Sequence, residues 1–137
     1  MPPLLDGFAK SWPRHLLRLE GLCIFSSSIW AYQRFSSQSW YLFGIGLLAP
    51  DLAMAGYLRD TTLGAAVYNS AHTETAPLLL GVAGVVLEKP VVLGVAMIWL
   101  AHIGMDRMFG FGLKYGTAFG HTHLGDFTAK SEKVVKD

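Results

Sequence analysis

Five ionisable side chains interrupt stretches of this chain that are otherwise apolar: Glu20, Asp51, His72, and the pair His102 and Asp106. At membrane depth an Asp costs roughly 2.5–3.5 kcal/mol on insertion scales, so such a residue needs a partner, a water-filled cavity or a task. A carboxyl group removed from water can hold a proton near neutrality, and a neighbouring imidazole can accept it. In that chemistry Asp51 or Asp106 is the acid and His72 or His102 the base. Tyr68 and Asn69 lie four and three residues before His72, hence on its helical face, where they can orient a substrate or polarise an oxygen. Glu20, Arg107, Lys114, Tyr115 and His123 complete the candidate substrate-binding set.

Metal binding is the weaker reading. His102 and Asp106, at i and i+4, can ligate one ion from one helical face, with His72 and Asp51 completing the set. The chain has no His-Glu-x-x-His motif and a single cysteine, Cys23, so no cofactor is expected. Packing alone is a competing explanation. An ion pair such as Asp106 with Arg107, or Arg107 with Glu20, can do no more than fix how helices meet. Two imidazoles and three carboxylates exceed what packing needs. His121-Thr-His123 reads as a loop feature in a glycine-flanked segment, with His123 able to fold over the mouth of a pocket. Ser26–Ser28 have no base nearby in sequence, and the Gly110–Gly116 run lacks a phosphate-loop pattern.

The elements that must position these residues read as four apolar spans, at about 15–32, 40–58, 62–87 and 90–108. Trp30 and Tyr32 suit an interface, and Arg18 can snorkel to the other. Pro50 bends the second span and frees a carbonyl beside Asp51. Pro90 starts the fourth span, and the glycines from Gly110 onward end it. Gly44, Gly46, Ala53 and Gly56 fit close helix packing. The lead at 1–13 lacks the apolar run of a cleaved signal peptide and reads as short and flexible. The expectation is one all-α domain over residues 1–125, a four-transmembrane-helix bundle running up-down-up-down, with a C-terminal loop segment and a polar flexible tail at 126–137.

Composition supports that expectation. Hydrophobic residues make up 52% of the 137 and charged residues 15%, against about 25% in soluble domains, with a mean hydropathy of +0.37. There is too little charge to coat a sphere of this size. The net charge of +1 and the scattered cations exclude a nucleic-acid partner. Lys and Arg concentrate in the lead, at Arg59 and beyond Arg107, so both termini are expected in the cytoplasm. A bacterial inner membrane and a eukaryotic endomembrane fit equally.

Segments 17–22 (LRLEGL), 49–52 (APDL) with 56–58 (GYL), and 64–69 (GAAVYN) with 71–73 (AHT) and Pro77 form an ordered series. It continues through 101–104 (AHIG) with Asp106 and Arg107, 110–115 (GFGLKY), and 122–125 (THLG). In order and spacing they resemble the DUF4260 family of small predicted integral membrane proteins, from about Leu16 to Gly125. The resemblance implies a four-helix membrane architecture and no particular activity. Glu74 stands where that pattern is usually aromatic, and His121 lies outside the matched segment whereas His123 lies within it. The function expected is acid–base catalysis on a lipophilic small molecule, of isomerisation or cyclisation type. The alternatives are a binding or transport module, which would need to dimerise, or a structural subunit. The partners expected are the bilayer, that lipophilic molecule and a second copy of the chain.

Overall fold

The computed structural model of the chain describes residues 11–126, most of them helical. Helix α1 spans Ser11–Phe35 and α2 spans Trp40–Gly46. A 3₁₀ helix covers Ala49–Leu58. Then come α3 at Thr61–His72, α4 at Thr75–Val86 and α5 at Pro90–Phe109. Strands β1 (His121–Thr122) and β2 (Gly125–Asp126) pair antiparallel, with Thr122 opposite Gly125.

Helix α5 is the axis of the molecule. Its buried positions run from Gly94 to Arg107. Helix α1 lies antiparallel against it where two glycines remove side chains from the crossing. A Cβ on Gly21 would sit 2.5 Å from Arg107 Cβ, and one on Gly104 would sit 2.6 Å from the Phe25 nitrogen. Small residues of this kind let helix backbones approach closely. Toward the other end, Tyr32, Phe43, Ile98 and Ala101 form a core cluster, and the Tyr32 hydroxyl donates to the Ser39 carbonyl at 2.9 Å. The α3 helix packs on the 3₁₀ helix, and α4 packs on α5.

The expected four spans are met in part. Two stretches, Trp40–Leu58 and α5, are long and apolar enough to cross a membrane. Helix α1 begins by Ser11, before the expected start, and carries Arg14, Arg18, Glu20 and Arg34 along its length. The second span is not one bent α-helix: α2 stops at Gly46, and a 3₁₀ helix with Pro50 in its first turn takes over. Ten residues is long for a 3₁₀ helix, which seldom exceeds 3–4. The third span is also interrupted, at Thr73 and Glu74. Pro77 has no N–H to offer the Thr73 carbonyl and its ring crowds that carbonyl, so Thr73 turns extended, with φ −86° and ψ 141°. The end of α5 is as the glycines foretell. Gly110 adopts φ 92°, the Gly110 N–H donates to Arg107 O, and the Phe111 N–H donates to Asp106 O at 2.7 Å, a Schellman closure. The expected lead and tail fall largely at residues 1–10 and 127–137, outside the described residues.

Candidate functional site

Three elements bring Asp51, His72, His102 and Asp106 together. The 3₁₀ helix presents Asp51 in its first turn, α3 ends on His72, and α5 carries His102 and Asp106 one turn apart. The two imidazole Nε2 atoms are 3.0 Å apart. Asp51 Oδ1 lies 3.5 Å from each of them, and Asp106 Oδ2 lies 3.6 Å from His72 Nε2 and 3.5 Å from His102 Nε2. All four donor atoms fall within 4.8 Å of one another. His72 and His102 are 2% and 1% exposed, whereas the Asp106 and Asp51 side chains are 15% and 43% exposed.

Backbone carbonyls fix both rings. His72 Nδ1 meets Tyr68 O at 2.8 Å, and His102 Nδ1 meets Leu47 O at 2.5 Å. A carbonyl only accepts, so each Nδ1 carries a proton and each Nε2 turns inward. The Leu47 carbonyl is available because of its neighbours. Its 3₁₀ partner would be the nitrogen of Pro50, which has no N–H, and the Asp51 N–H goes to Leu48 O instead. The freed carbonyl anticipated beside Asp51 is thus the orienting group of His102. Tyr68 stacks on His72 with ring centroids 3.6 Å apart, and its hydroxyl donates to Asp106 Oδ2 at 3.3 Å.

The remaining expected site residues are placed around this centre. Glu20 is exposed and lies outside it, because α1 packs on the Gly104 face of α5. Two residues on from His102, that face is turned by roughly 200°. Glu20 instead borders a cavity of about 220 Å³ with Leu17, Glu74, Arg107 and His123. Arg107 pairs with Glu74 at 3.9 Å rather than with Asp106 or Glu20, and its Nη2 donates to His72 O at 3.1 Å. That contact ties the α3–α4 break to α5. Asn69 accepts from the Lys114 N–H at 2.7 Å and donates to the Lys114 carbonyl at 2.8 Å, clamping the C-terminal loop to α3. The Lys114 ammonium donates to Phe119 O and lies over the Phe119 ring, and burial holds it below its ordinary range. Tyr115 packs on His121, whose Nδ1 meets the Thr117 hydroxyl at 2.6 Å.

His123 folds back toward the Glu20–Arg107 cavity, not over the His–Asp centre. Its Nδ1 accepts from the Leu113 N–H at 2.9 Å, and burial, then the Arg107 charge, holds its pKa below the ordinary value. Two groups of consequence had no partner assigned from the sequence: the carbonyl freed by Pro50, which is Leu47 O, and Trp99, a candidate pocket-lining residue that does line an apolar cavity and whose indole donates to Ala71 O at 2.6 Å. Glu74 was visible but, being out of pattern, had no assigned partner.

An apolar cavity of about 300 Å³ lies among sequence neighbours of the centre, though none of the four centre residues lines it. It is lined by Leu42, Gly46, Ala49, Pro50, Ala71, Val95, Ile98 and Trp99. Ala49 and Pro50 lead directly into Asp51, Ala71 precedes His72, and Ile98 lies one turn before His102.

Fold and site together define a helical protein with membrane-length apolar helices and a buried His–Asp centre. The chain belongs to the DUF4260 family, a domain of unknown function, which it matches over residues 14–127. No curated protein and no solved structure matches it.

Proposed function

We propose that this chain is an integral membrane enzyme that performs acid–base chemistry on a lipophilic small molecule at the Asp51–His72–His102–Asp106 centre. The observation that carries the reading is the apolar cavity whose lining includes Pro50, Ala71 and Ile98, residues next to Asp51 and His72 in sequence and one turn from His102. Its volume of about 300 Å³ is at the lower end for small-molecule pockets. A hydrocarbon body lying there would present its polar end to Asp51, the most exposed of the four groups. Asp51 exchanges the proton with the bound molecule, and Asp106 and the two imidazoles set the charge around it.

Membrane embedding is supported by the outer surface. Phe43 is the single buried residue in Trp40–Leu58, so that stretch is not the core of a soluble bundle. Helix α4 leaves Leu78, Leu79, Val82, Val85 and Val86 exposed. Contiguous apolar surface of this kind marks contact with lipid or another chain. In this reading the chain crosses four times, with α3 and α4 together making the third crossing, and both termini face the cytoplasm. A transport path is disfavoured, since it requires polar groups through the full depth, and α4 and the first half of α5 are apolar.

The test compares lipid extracts of membranes expressing the wild-type chain with those expressing Asp51→Asn, His72→Ala and Asp106→Asn. The expected outcome is at least one lipophilic species whose level changes with wild type and reverts in each variant. Indistinguishable extracts from folded wild-type and variant proteins reject the reading.

A further inference from the structure

We infer that Asp51, His72, His102 and Asp106 are the ligands of one tetrahedral divalent transition-metal ion of the zinc class, with Asp51 the exchangeable ligand. The inference rests on the same four residues as the enzymatic reading but needs no turnover.

Four observations converge. The first is distance. Zinc holds imidazole nitrogen at 2.0–2.1 Å and carboxylate oxygen at 2.0–2.2 Å, so a tetrahedral site has ligand–ligand edges of about 3.3–3.6 Å. Five edges of the cluster measure 3.0, 3.5, 3.5, 3.5 and 3.6 Å. The second is tautomer. With both Nδ1 protons given to carbonyls, the two buried Nε2 atoms face each other at 3.0 Å, a spacing that a cation bound by both, a proton or a metal ion, satisfies. Ligating histidines almost always donate their other N–H to a carbonyl or carboxylate, as both do here.

The third is charge. Two carboxylates share the centre, while the nearest cationic side chains direct their hydrogen bonds elsewhere, Arg107 to His72 O and Lys114 to Phe119 O. A divalent ion balances both carboxylates and engages both Nε2 atoms at once. The fourth is ligand type. Two imidazoles with two carboxylates and no thiolate suit zinc or a neighbouring transition ion, whereas magnesium and calcium prefer oxygen alone.

The ligands differ in rigidity. His72, His102 and Asp106 stand on α-helices, and the Tyr68 hydroxyl holds Asp106. Asp51 stands on the 3₁₀ helix with its side chain 43% exposed. Catalytic zinc sites keep three protein ligands and one open position. Asp51 is the ligand whose release opens that position, and the residue before it, Pro50, lines the apolar cavity.

The full chain, purified in detergent with a tag free of histidine and no chelator, is assayed for metals by mass spectrometry and reconstituted with Co(II). The expected result is one ion per chain, lowered at least tenfold in His102→Ala and Asp106→Asn. Cobalt should show the intense visible bands of a tetrahedral site, and these bands should shift in Asp51→Asn. Tyr68→Phe should keep the ion at saturation but bind it about 10–100-fold more weakly, as loss of an outer hydrogen bond does. A folded wild-type chain that stays metal-free in excess zinc and cobalt overturns the inference. So does an Asp51→Asn cobalt spectrum identical to wild type, which decides the matter should His102→Ala fail to fold. Bound metal with unchanged lipid extracts would reject only the enzymatic reading; a metal-free chain whose extracts still respond would reject only the metal.

Discussion

His123 shows how one imidazole can make a loop sensitive to pH. Its Nδ1 accepts the Leu113 N–H, so protonation of the ring removes that acceptor. Burial and the Arg107 charge lower its pKa below the ordinary 6.5, which means the closed loop favours the neutral ring. The open loop therefore takes up the proton first. The stabilisation is complete above about pH 6.5 and is lost as pH falls through the lowered value. Hydrogen-exchange protection at the Leu113 amide should hold at neutral pH and drop on acidification. In His123→Asn a carbonyl oxygen replaces the Nδ1 acceptor and cannot protonate in this range, so protection should persist in acid. Protection that ignores pH in the wild-type chain would contradict the account. Cys23, by contrast, is exposed on α1 and unpaired with any other cysteine, as a lone thiol must be.

At the scale of elements, two devices place the centre. One is proline: Pro50 leaves the Leu47 carbonyl for His102, and Pro77 ends α3 at the position that turns His72 inward. The other is the glycine crossing of α1 and α5, which fixes the height of α5 against its neighbours. A methyl at Gly104 would press on the Phe25 nitrogen and the Gly21 carbonyl, both backbone atoms that cannot rotate away. Gly104→Ala should cost about 1–3 kcal/mol, the usual range for overpacking. Thermal unfolding in detergent should show it as a lower midpoint, while Gly44→Ala, which meets nothing within 4 Å, should leave the midpoint nearly unchanged. Equal midpoints for the two variants would mean that α1 and α5 do not meet at this crossing.

For the whole molecule, the placement of Lys and Arg makes a prediction about sidedness. In a Cys23→Ser background, single cysteines at Ser37 and Glu88 should react with a membrane-impermeant reagent added from outside the cytoplasm. A cysteine at Arg59 should react only after the membrane is opened. The reverse pattern would invert the orientation, and labelling of all three from outside would refute the four crossings.

The chain by itself determined composition, helical class and family: few charges, long apolar runs and an ordered series of segments are local properties, legible residue by residue. It also singled out Asp51, His72, His102 and Asp106, since an ionisable group in an apolar run stands out wherever the run folds. The i, i+4 spacing even set His102 and Asp106 on one face. Only the tertiary structure decided that Glu20 belongs to a different cavity, that Arg107 pairs with Glu74, and that Asn69 grips the loop. Those outcomes depend on which face of α5 meets which neighbour, a matter of backbone approach at Gly21 and Gly104. The tautomers of the two histidines were likewise undetermined by sequence. For His72 the orienting carbonyl, Tyr68 O, lies one turn back on α3, but for His102 it is Leu47 O, brought by packing from 55 positions away in the chain.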